Sequence, residues 1–429
     1  MSAAVVFLLF FICLIIAIPI SIALGIVSVL PGAFDPSFTA SGQFVIRSML
    51  GGIDSFPLLA VPMFVLSGMI MAKGGISKKI FDVFAFFIGK LTAGMPCAVI
   101  VTCLFYGAIS GSAPATVAAV GSMTIPILIR LGYDKSFSTA IVAVAGGLGV
   151  IIPPSIPFIM YGMASGESVS DLFMAGVVPG LLIGALLMVY AIYYCKKHGE
   201  DKEKIGANYQ KLHSRGFLGI MKSGFWALLC PVIILGGIYS GIFSPTEAAC
   251  VSVIYAVLVS MAIYRTINLR KLWELILESV KSIAPLCVLL ALATAFSRVL
   301  TMLNAPQALA EFISGAISGK IAFLILLNVA LLILGMFIDG APAILILSPL
   351  LMPIAAEFGI DPVHLGIVIV CNLTIGLASP PFGLNLFVAS STSGAPVMEI
   401  GKKIIPFIAM FLIALVLITF IPQISLCLI

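Results

Sequence analysis

The chain has 429 residues, of which 62% are apolar and only 9% charged, where a soluble domain carries roughly 25% charged residues. That much apolar surface, with 40 Gly and 25 Pro, excludes disorder, a coiled coil and a soluble enzyme, and leaves the bilayer as the main solvent. The net charge of +5, from 22 Lys and Arg against 17 Asp and Glu, sits in short clusters between apolar runs; such clusters orient membrane proteins and imply no nucleic acid.

In chain order, apolar runs fall near 3–30, 57–72, 94–129, 137–163, 172–195, 225–243, 246–264, 283–303, 321–353, 364–393 and 404–428. At about 20 residues per crossing, they predict an all-α polytopic membrane protein with about eleven transmembrane helices. The first run, Ala3 to Leu30, lacks the basic flank and cleavage pattern of a signal peptide and is expected to stay as a membrane helix. Arg47, Asp54 and Ser55 precede the second run, where they face a vestibule or form a solvated turn. The one sizeable polar stretch, between Lys196 and Lys222, carries Lys196, Lys197, Lys202, Lys204, Lys211 and Arg215 beside Glu200, Asp201 and Glu203. Its basic residues place it in the cytoplasm. Asn268 to Lys281 sets apolar residues at helical spacing with charges opposite, which predicts a helix lying in the interface or a plain connector. The nine Cys include no C-x-x-C pair and read as small buried hydrophobes.

Sliding the chain against itself exposes an internal repeat. Gly107, Ala113, Pro114 and Ala115 meet Gly335, Ala341, Pro342 and Ala343 at a shift of 228. After a one-residue slip, Pro126, Gly132, Asp134, Gly149, Pro153, Pro154 and Pro179 meet Pro353, Gly359, Asp361, Gly376, Pro380, Pro381 and Pro406. The helix at Pro179 runs into the Lys-rich stretch, whereas the one at Pro406 follows Lys402 and Lys403, so the copies are inverted. Inverted copies are the usual construction of secondary transporters, with substrate near the midplane where they meet. The expected organisation is N-terminal scaffold helices over 1–90, a first repeat over 91–195, a loop with scaffold helices and an amphipathic arm over 196–282, and a second repeat over 283–429.

Leu91 to Ile129 holds no charge, yet its centre reads Gly107-Ala-Ile-Ser110-Gly-Ser112-Ala-Pro114. Gly and Pro weaken a helix, and backbone groups freed in hydrocarbon must find partners or line a cavity. The reading is a re-entrant hairpin whose tip exposes carbonyls and the hydroxyls of Ser110 and Ser112, hard uncharged ligands suited to Na⁺; the alternative is helix packing through small residues. Downstream, Gly149-Val-Ile-Ile-Pro153-Pro154-Ser155-Ile-Pro157 cannot continue a helix. An unwound crossing there presents carbonyls near Gly149 and Ile152 beside the Ser110 to Ser112 tip. Its counterpart, Asn372-Leu-Thr374-Ile-Gly376-Leu-Ala-Ser379-Pro380-Pro381-Phe-Gly-Leu-Asn385, offers more polar side chains. Asp339 is the only charge between Lys320 and Glu357. A lone intramembrane carboxylate is a functional candidate by default: it holds a cation, carries a proton, contacts substrate, or caps a half-helix. Arg298 either attracts an organic anion or snorkels to the interface.

Intramembrane proteolysis finds no support, because Ser110 has only His364 available as a base and Asp339 has no second carboxylate. The motif G-x-x-x-x-G-K-[ST] is absent, so ATP drive is not encoded here. An ion channel, or an ion-coupled transporter needing no binding protein, is the alternative to alternating access.

Gly107 to Pro114, Gly146 to Pro157 and the echo Gly376 to Pro381 resemble the large membrane subunit of tripartite ATP-independent periplasmic (TRAP) transporters over essentially the whole chain. The resemblance implies a multi-pass protein of the bacterial inner membrane in which Na⁺, as coupling ion, drives uptake of an organic acid by an elevator mechanism with two re-entrant hairpins. It also implies two partners: a soluble periplasmic substrate-binding protein and a separate small four-helix membrane subunit. Carried over by resemblance, Ser110, Ser112, Gly149, Ile152 and Pro154 fall on one Na⁺ site, and Gly340, Thr374, Gly376 and Ser379 on the other. Asp339, Ser155 and Asn385 fall on the substrate site. Among small acids, the chain looks most like members taking N-acetylneuraminate, with C4-dicarboxylates next.

Overall fold

The computed structural model describes residues 3–34, 38, 40–214, 216–316 and 319–429. Every element among them is helical. In hydrocarbon no water takes unpaired peptide groups, so the chain satisfies them within its helices.

Five helices precede the first repeat: α1 (Ala3–Ile15), α2 (Ile20–Phe34), α3 (Gly42–Ile53), α4 (Ala60–Lys73) and α5 (Ile76–Ile88). The run from Ala3 to Leu30 is thus divided between two helices, where a single one was expected. Pro19 disfavours the helical region for Ile18, and Ala17 turns the chain at φ +63°. The 13 residues of α1 rise about 20 Å, less than the roughly 30 Å of hydrocarbon.

The first repeat comprises α6 (Gly94–Ser110), α7 (Ala113–Arg130), α8 (Lys135–Ala145), α9 (Ile156–Ser165) and α10 (Val169–His198). Between α10 and the second hairpin lie α11 (Lys202–His213), α12 (Phe217–Tyr239), α13 (Pro245–Leu258), α14 (Leu269–Met302) and α15 (Ala305–Ala316). The expected start of the second repeat at 283 falls inside the continuous α14, and the counterpart of α6 begins only with the helix at Lys320. The second repeat follows as α16 (Lys320–Phe337), α17 (Gly340–Glu357), α18 (Pro362–Ala378), α19 (Leu384–Ser393) and α20 (Val397–Phe420), with a short α21 (Gln423–Leu426) after it. Among the described residues nine helices are long and apolar enough to cross a membrane. Length alone does not count the crossings: α7 and α17 are among the nine yet return from a hairpin tip, while α8 with α9 and α18 with α19 are shorter pieces divided by a break.

Positions paired by the repeat do the same local work. Asp134 caps α8 by accepting from the Phe137 N–H at 2.8 Å, and Asp361 caps α18 by accepting from Val363 and His364 at 2.9 and 3.0 Å, each supplying an acceptor to otherwise unpaired first-turn donors. Pro179 and Pro406 lie inside α10 and α20. The broken crossings meet antiparallel. Lys135 at the start of α8 donates to the Gly394 carbonyl after α19 at 3.0 Å, and Tyr161 near the end of α9 donates to the Pro362 carbonyl at the start of α18 at 2.6 Å.

The polar stretch folds into α11, and the residues before it fasten the base of the first hairpin. Both Glu200 carboxylate oxygens accept from the Ala93 N–H at 3.1 Å, and one accepts from the Tyr133 hydroxyl. Burial, and after it the Glu200 carboxylate, pushes the Tyr133 phenol well above its ordinary range, so it stays protonated and remains the donor. His213 stacks on Phe86 of α5 at 3.9 Å; Arg215 lies outside the described residues. The segment from Asn268 to Lys281 is not a separate interfacial helix. It opens the 34-residue α14, which contains no Gly and keeps Pro285 inside. Those residues rise about 51 Å, so the amphipathic part extends the span beyond the hydrocarbon.

Direction within the bundle follows from two hydrogen bonds. The hydroxyl of Thr246, at the start of α13, donates to the Phe56 carbonyl just before α4 at 3.3 Å, and that of Thr266, after α13, donates to the Gly74 carbonyl just after α4 at 2.9 Å. The helices α4 and α13 therefore run side by side in one direction. Because α12 leaves from the polar stretch and α13 returns, the end of α4 and the start of α14 lie at the polar-stretch end.

Candidate functional site

Each repeat makes a tip and a break. The first tip joins α6 to α7 through Gly111 and Ser112, and the second joins α16 to α17 through Ile338 and Asp339. The first break runs from a 3₁₀ turn, Gly146–Val150, to Ser155, which caps α9; the second runs from Ser379 to Gly383. Both breaks hold a cis peptide, at Pro153–Pro154 and Pro380–Pro381. Proline supplies no N–H, so each break leaves backbone oxygens without helical partners.

Glycine lets the arm behind each tip press onto its break. A Cβ on Gly107 would strike the backbone of Gly149, and a Cβ on Gly376 would strike the backbone of Gly335. These pairs are repeat counterparts, 107 with 335 and 149 with 376. Only hydrogen at such positions lets two backbones approach this closely. The first break also touches α18 just before the second, since a Cβ on Gly147 would lie 2.7 Å from the Thr374 methyl.

The first tip gathers oxygens. The hydroxyls of Ser110 and Thr116 are hydrogen-bonded at 2.9 Å, Thr116 donates to the Ser112 carbonyl at 2.8 Å, and a Cβ on Gly149 would meet that carbonyl at 3.1 Å. The Pro154 carbonyl faces the tip at Gly111, whose own carbonyl accepts from the Ile156 N–H at 3.2 Å. Ser110, Ser112, Gly149 and Pro154 thus converge, while Ile152 packs its side chain on Gly180. Thr116 belongs to this cluster and was missed from sequence; its position one helical turn after Ser112 was the available signal.

In the second copy, Thr374 donates its hydroxyl to the Val370 carbonyl at 2.6 Å and Ser379 to the Ile375 carbonyl at 2.8 Å, which leaves oxygen lone pairs free to accept. Asp339 caps α17, its carboxylate accepting from the Gly340 N–H at 2.8 Å. The two tips share one cavity of about 1150 Å³, into which Asp339, Gly340 and Thr374 face together with Ser110 and Ser112. Among the described residues its lining carries one cation, Lys73, and two carboxylates, Asp339 and Glu278. Lys73 ends α4 and Glu278 lies near the start of α14, so both stand toward the polar-stretch end.

Of the three residues expected at the substrate, only Asp339 lines that cavity. Ser155 is fully buried, donating to the Val150 carbonyl and accepting from the Phe158 N–H at 3.4 Å. Asn385 is fully buried too, and donates to the Ala143 carbonyl at 3.4 Å. Both are drawn into the seam where break meets neighbouring helix, a placement that proximity in sequence to Pro154 and Pro381 does not reveal. His364, isolated in the sequence, is buried with ring nitrogens 3.2 Å from the Ser425 hydroxyl and the Thr419 carbonyl.

Long apolar helices, paired hairpin tips and broken crossings around one cavity define a multi-pass membrane permease. The chain belongs to the family described as "Tripartite ATP-independent periplasmic transporter, DctM component", which matches residues 7–424, and with nine long apolar helices among its described residues it is a multi-pass protein of the bacterial inner membrane. It is 42% identical to the C4-dicarboxylate TRAP transporter large permease protein DctM of Pseudomonas aeruginosa, over 87% of this chain and 86% of that one. It is 41% identical to the isethionate TRAP transporter permease protein DctMQ of Oleidesulfovibrio alaskensis, over 96% of this chain but 64% of that relative's length. Identity to the sialic acid TRAP transporter large permease protein SiaM of Vibrio cholerae is 36%, over 90% and 89% of the two chains. Among solved structures, the Alcanivorax borkumensis YdaH transporter gives a TM-score of 0.62 at 15% identity over 88% of both chains. Neisseria gonorrhoeae MtrF, an antimetabolite efflux pump, gives 0.61 at 14% over 93% of both; these two likenesses concern the fold alone.

Proposed function

We propose that this chain is the large subunit of a Na⁺-coupled secondary transporter that imports a small organic acid, with the two repeats moving as an elevator against the remaining helices. The observation that carries this reading is the meeting of two oxygen-rich tip-and-break clusters at one cavity that also holds Asp339. An acid entering that cavity meets two carboxylates and one ammonium, so an anion alone is repelled. Cations held by the clusters reverse that balance. One site would draw on Ser110, Thr116 and the Ser112 carbonyl beside Gly149, Ile152 and Pro154; the other would draw on Gly340, Thr374, Gly376 and Ser379 beside Asp339. Because binding linkage is reciprocal, an acid that needs the cations also tightens their binding. With the polar stretch in the cytoplasm, the cavity faces inward at its Lys73 end, a posture suited to release.

The family and its named relatives support delivery by a soluble periplasmic binding protein and a separate small membrane subunit as partner. The leaning toward N-acetylneuraminate draws no support from identity, since the relatives named for C4-dicarboxylate and isethionate stand at 42% and 41% against 36% for the sialic acid one. The substrate class proposed is therefore a small carboxylic or sulfonic acid.

Thr116→Val should raise the Na⁺ concentration for half-maximal uptake about tenfold, the loss of one to two hydrogen bonds' worth of organisation. Ser112→Ala should change it less than threefold, because Ser112 contributes its carbonyl, which alanine keeps. Equal effects of the two would place the ion elsewhere. The whole reading is tested by reconstituting the chain with its small subunit in liposomes and following labelled acid with and without a Na⁺ gradient and the binding protein. Saturable uptake dependent on both supports it; uptake indifferent to Na⁺, or flux that never saturates, points to a channel.

A further inference from the structure

A second cavity, of about 660 Å³, opens at the far end of the molecule and shares no lining residue with the first. Its walls come from two bodies. The turn between α9 and α10 and the α17 residues Leu345 and Pro349 belong to the repeats, while Gly51, Gly52, the run from Ser55 to Pro57, Thr246 and the α14 residues Thr294, Ser297 and Arg298 belong to the rest. The helices α9, α14 and α17 line both cavities. On α14, Leu289 lines the tip cavity and Thr294 the far cleft, five positions or about 7.5 Å further along the axis. The cleft therefore leads toward the tips.

Arg298 is the only cation in this lining, and among the described residues it makes no ion pair. Its guanidinium lies over α3 at Gly51, where a Cβ would sit 3.7 Å from one terminal nitrogen and 3.8 Å from the other. The hydroxyls of Ser55, Ser170 and Ser297 line the same space, and Glu167 faces it from the repeat side. A lone exposed arginine can simply snorkel. Here, however, the fork lies along the wall of a cleft large enough for a small acid, with serine residues around it. A guanidinium so placed offers two parallel donors to one carboxylate, while Glu167 on the repeat side would repel that carboxylate and limit its residence.

We infer that the far cleft is an anion-binding vestibule in which Arg298 takes the carboxylate or sulfonate of the incoming acid before it reaches the tips. This rests on the transport reading above and adds to it a site on the uptake side. In liposomes holding the chain with its small subunit and binding protein, Arg298→Gln should raise KM for labelled succinate or N-acetylneuraminate about tenfold and leave kcat within twofold. Arg298→Lys should recover part of the loss. An unchanged KM in Arg298→Gln overturns the inference. A second arm does not depend on transport: in the purified chain, Ser297→Cys is labelled with anionic and cationic methanethiosulfonate reagents and read at residue 297 by mass spectrometry. Adding Arg298→Gln should lower the anionic-to-cationic rate ratio at least fivefold, and an unchanged ratio overturns the vestibule. If the unmodified chain takes up none of succinate, N-acetylneuraminate and isethionate in a Na⁺ gradient, the Na⁺-driven reading fails by itself while the labelling ratio still decides this one.

Discussion

Gly376→Ala is expected to cut Na⁺-driven uptake at least tenfold and to lower thermal stability, although it adds one methyl group. That methyl would be driven into the backbone of Gly335, and backbone, unlike the far end of a side chain, does not swing aside. Overpacking of this kind costs about 1–3 kcal/mol. Relief by separating α16 from α18 would pull the second tip away from its break and open the oxygen cluster around Thr374. The matched control is Gly236→Ala on α12, where a Cβ meets nothing within 4 Å; there alanine's helix preference gives stability up to about 1 kcal/mol, and uptake should be unchanged. Gly149→Ala should also lower Na⁺-driven uptake, because its methyl would displace the Thr116 hydroxyl and press on the Ser112 carbonyl of the first cluster. Equal uptake by Gly376→Ala and Gly236→Ala would mean that tip and break need not touch.

Asp339→Asn should raise the Na⁺ concentration for half-maximal uptake by about 10- to 100-fold while leaving the fold intact. Asparagine caps a helix about as well as aspartate, so the hydrogen bond from the Gly340 N–H survives and α17 still begins at the same place. What is lost is a full negative charge at the second tip. Two opposite charges 4 Å apart attract by about 4 kcal/mol at an effective dielectric of 20, so losing even a part of that moves ion affinity by one to two decades. If Asp339 instead contacted the acid directly, removing its charge would favour the anion, lowering KM for substrate with little change in Na⁺ dependence. Measuring both constants on one variant separates the two roles.

Much of this was legible in the sequence because hydrocarbon leaves few options. Gly, Pro and Asp at paired positions in uncharged runs mark interruptions, and Asp134 with Asp361, and Gly107 with Gly335, prove to be local counterparts in three dimensions. What the chain conceals is which way an interrupted segment faces. Ser155 and Asn385 sit beside the breaks in sequence, yet both are turned into packed seams, a matter of helix rotation that no short motif encodes. Thr116 escaped notice because a threonine one turn after a tip looks like any other helical residue until its hydroxyl is seen on the Ser112 carbonyl. Lys73 and Glu278 are remote in sequence from each other and from either tip, and only the packing of α4 and α14 brings them to the same cavity. The division of the first run at Pro19 was visible as a proline, but its effect was outweighed by the unbroken apolarity around it.

Both interrupted crossings are proposed to hold Na⁺. An experimental structure of the reconstituted transporter, determined in Na⁺ and again in a large organic cation, tests this without relying on uptake alone. Ordered density is predicted at two places in Na⁺ alone: among Ser110, Thr116 and the Ser112 carbonyl, and among Gly340, Thr374 and Gly376 beside Asp339. Identical, unoccupied clusters in both conditions, in a preparation whose uptake still depends on Na⁺, would contradict it.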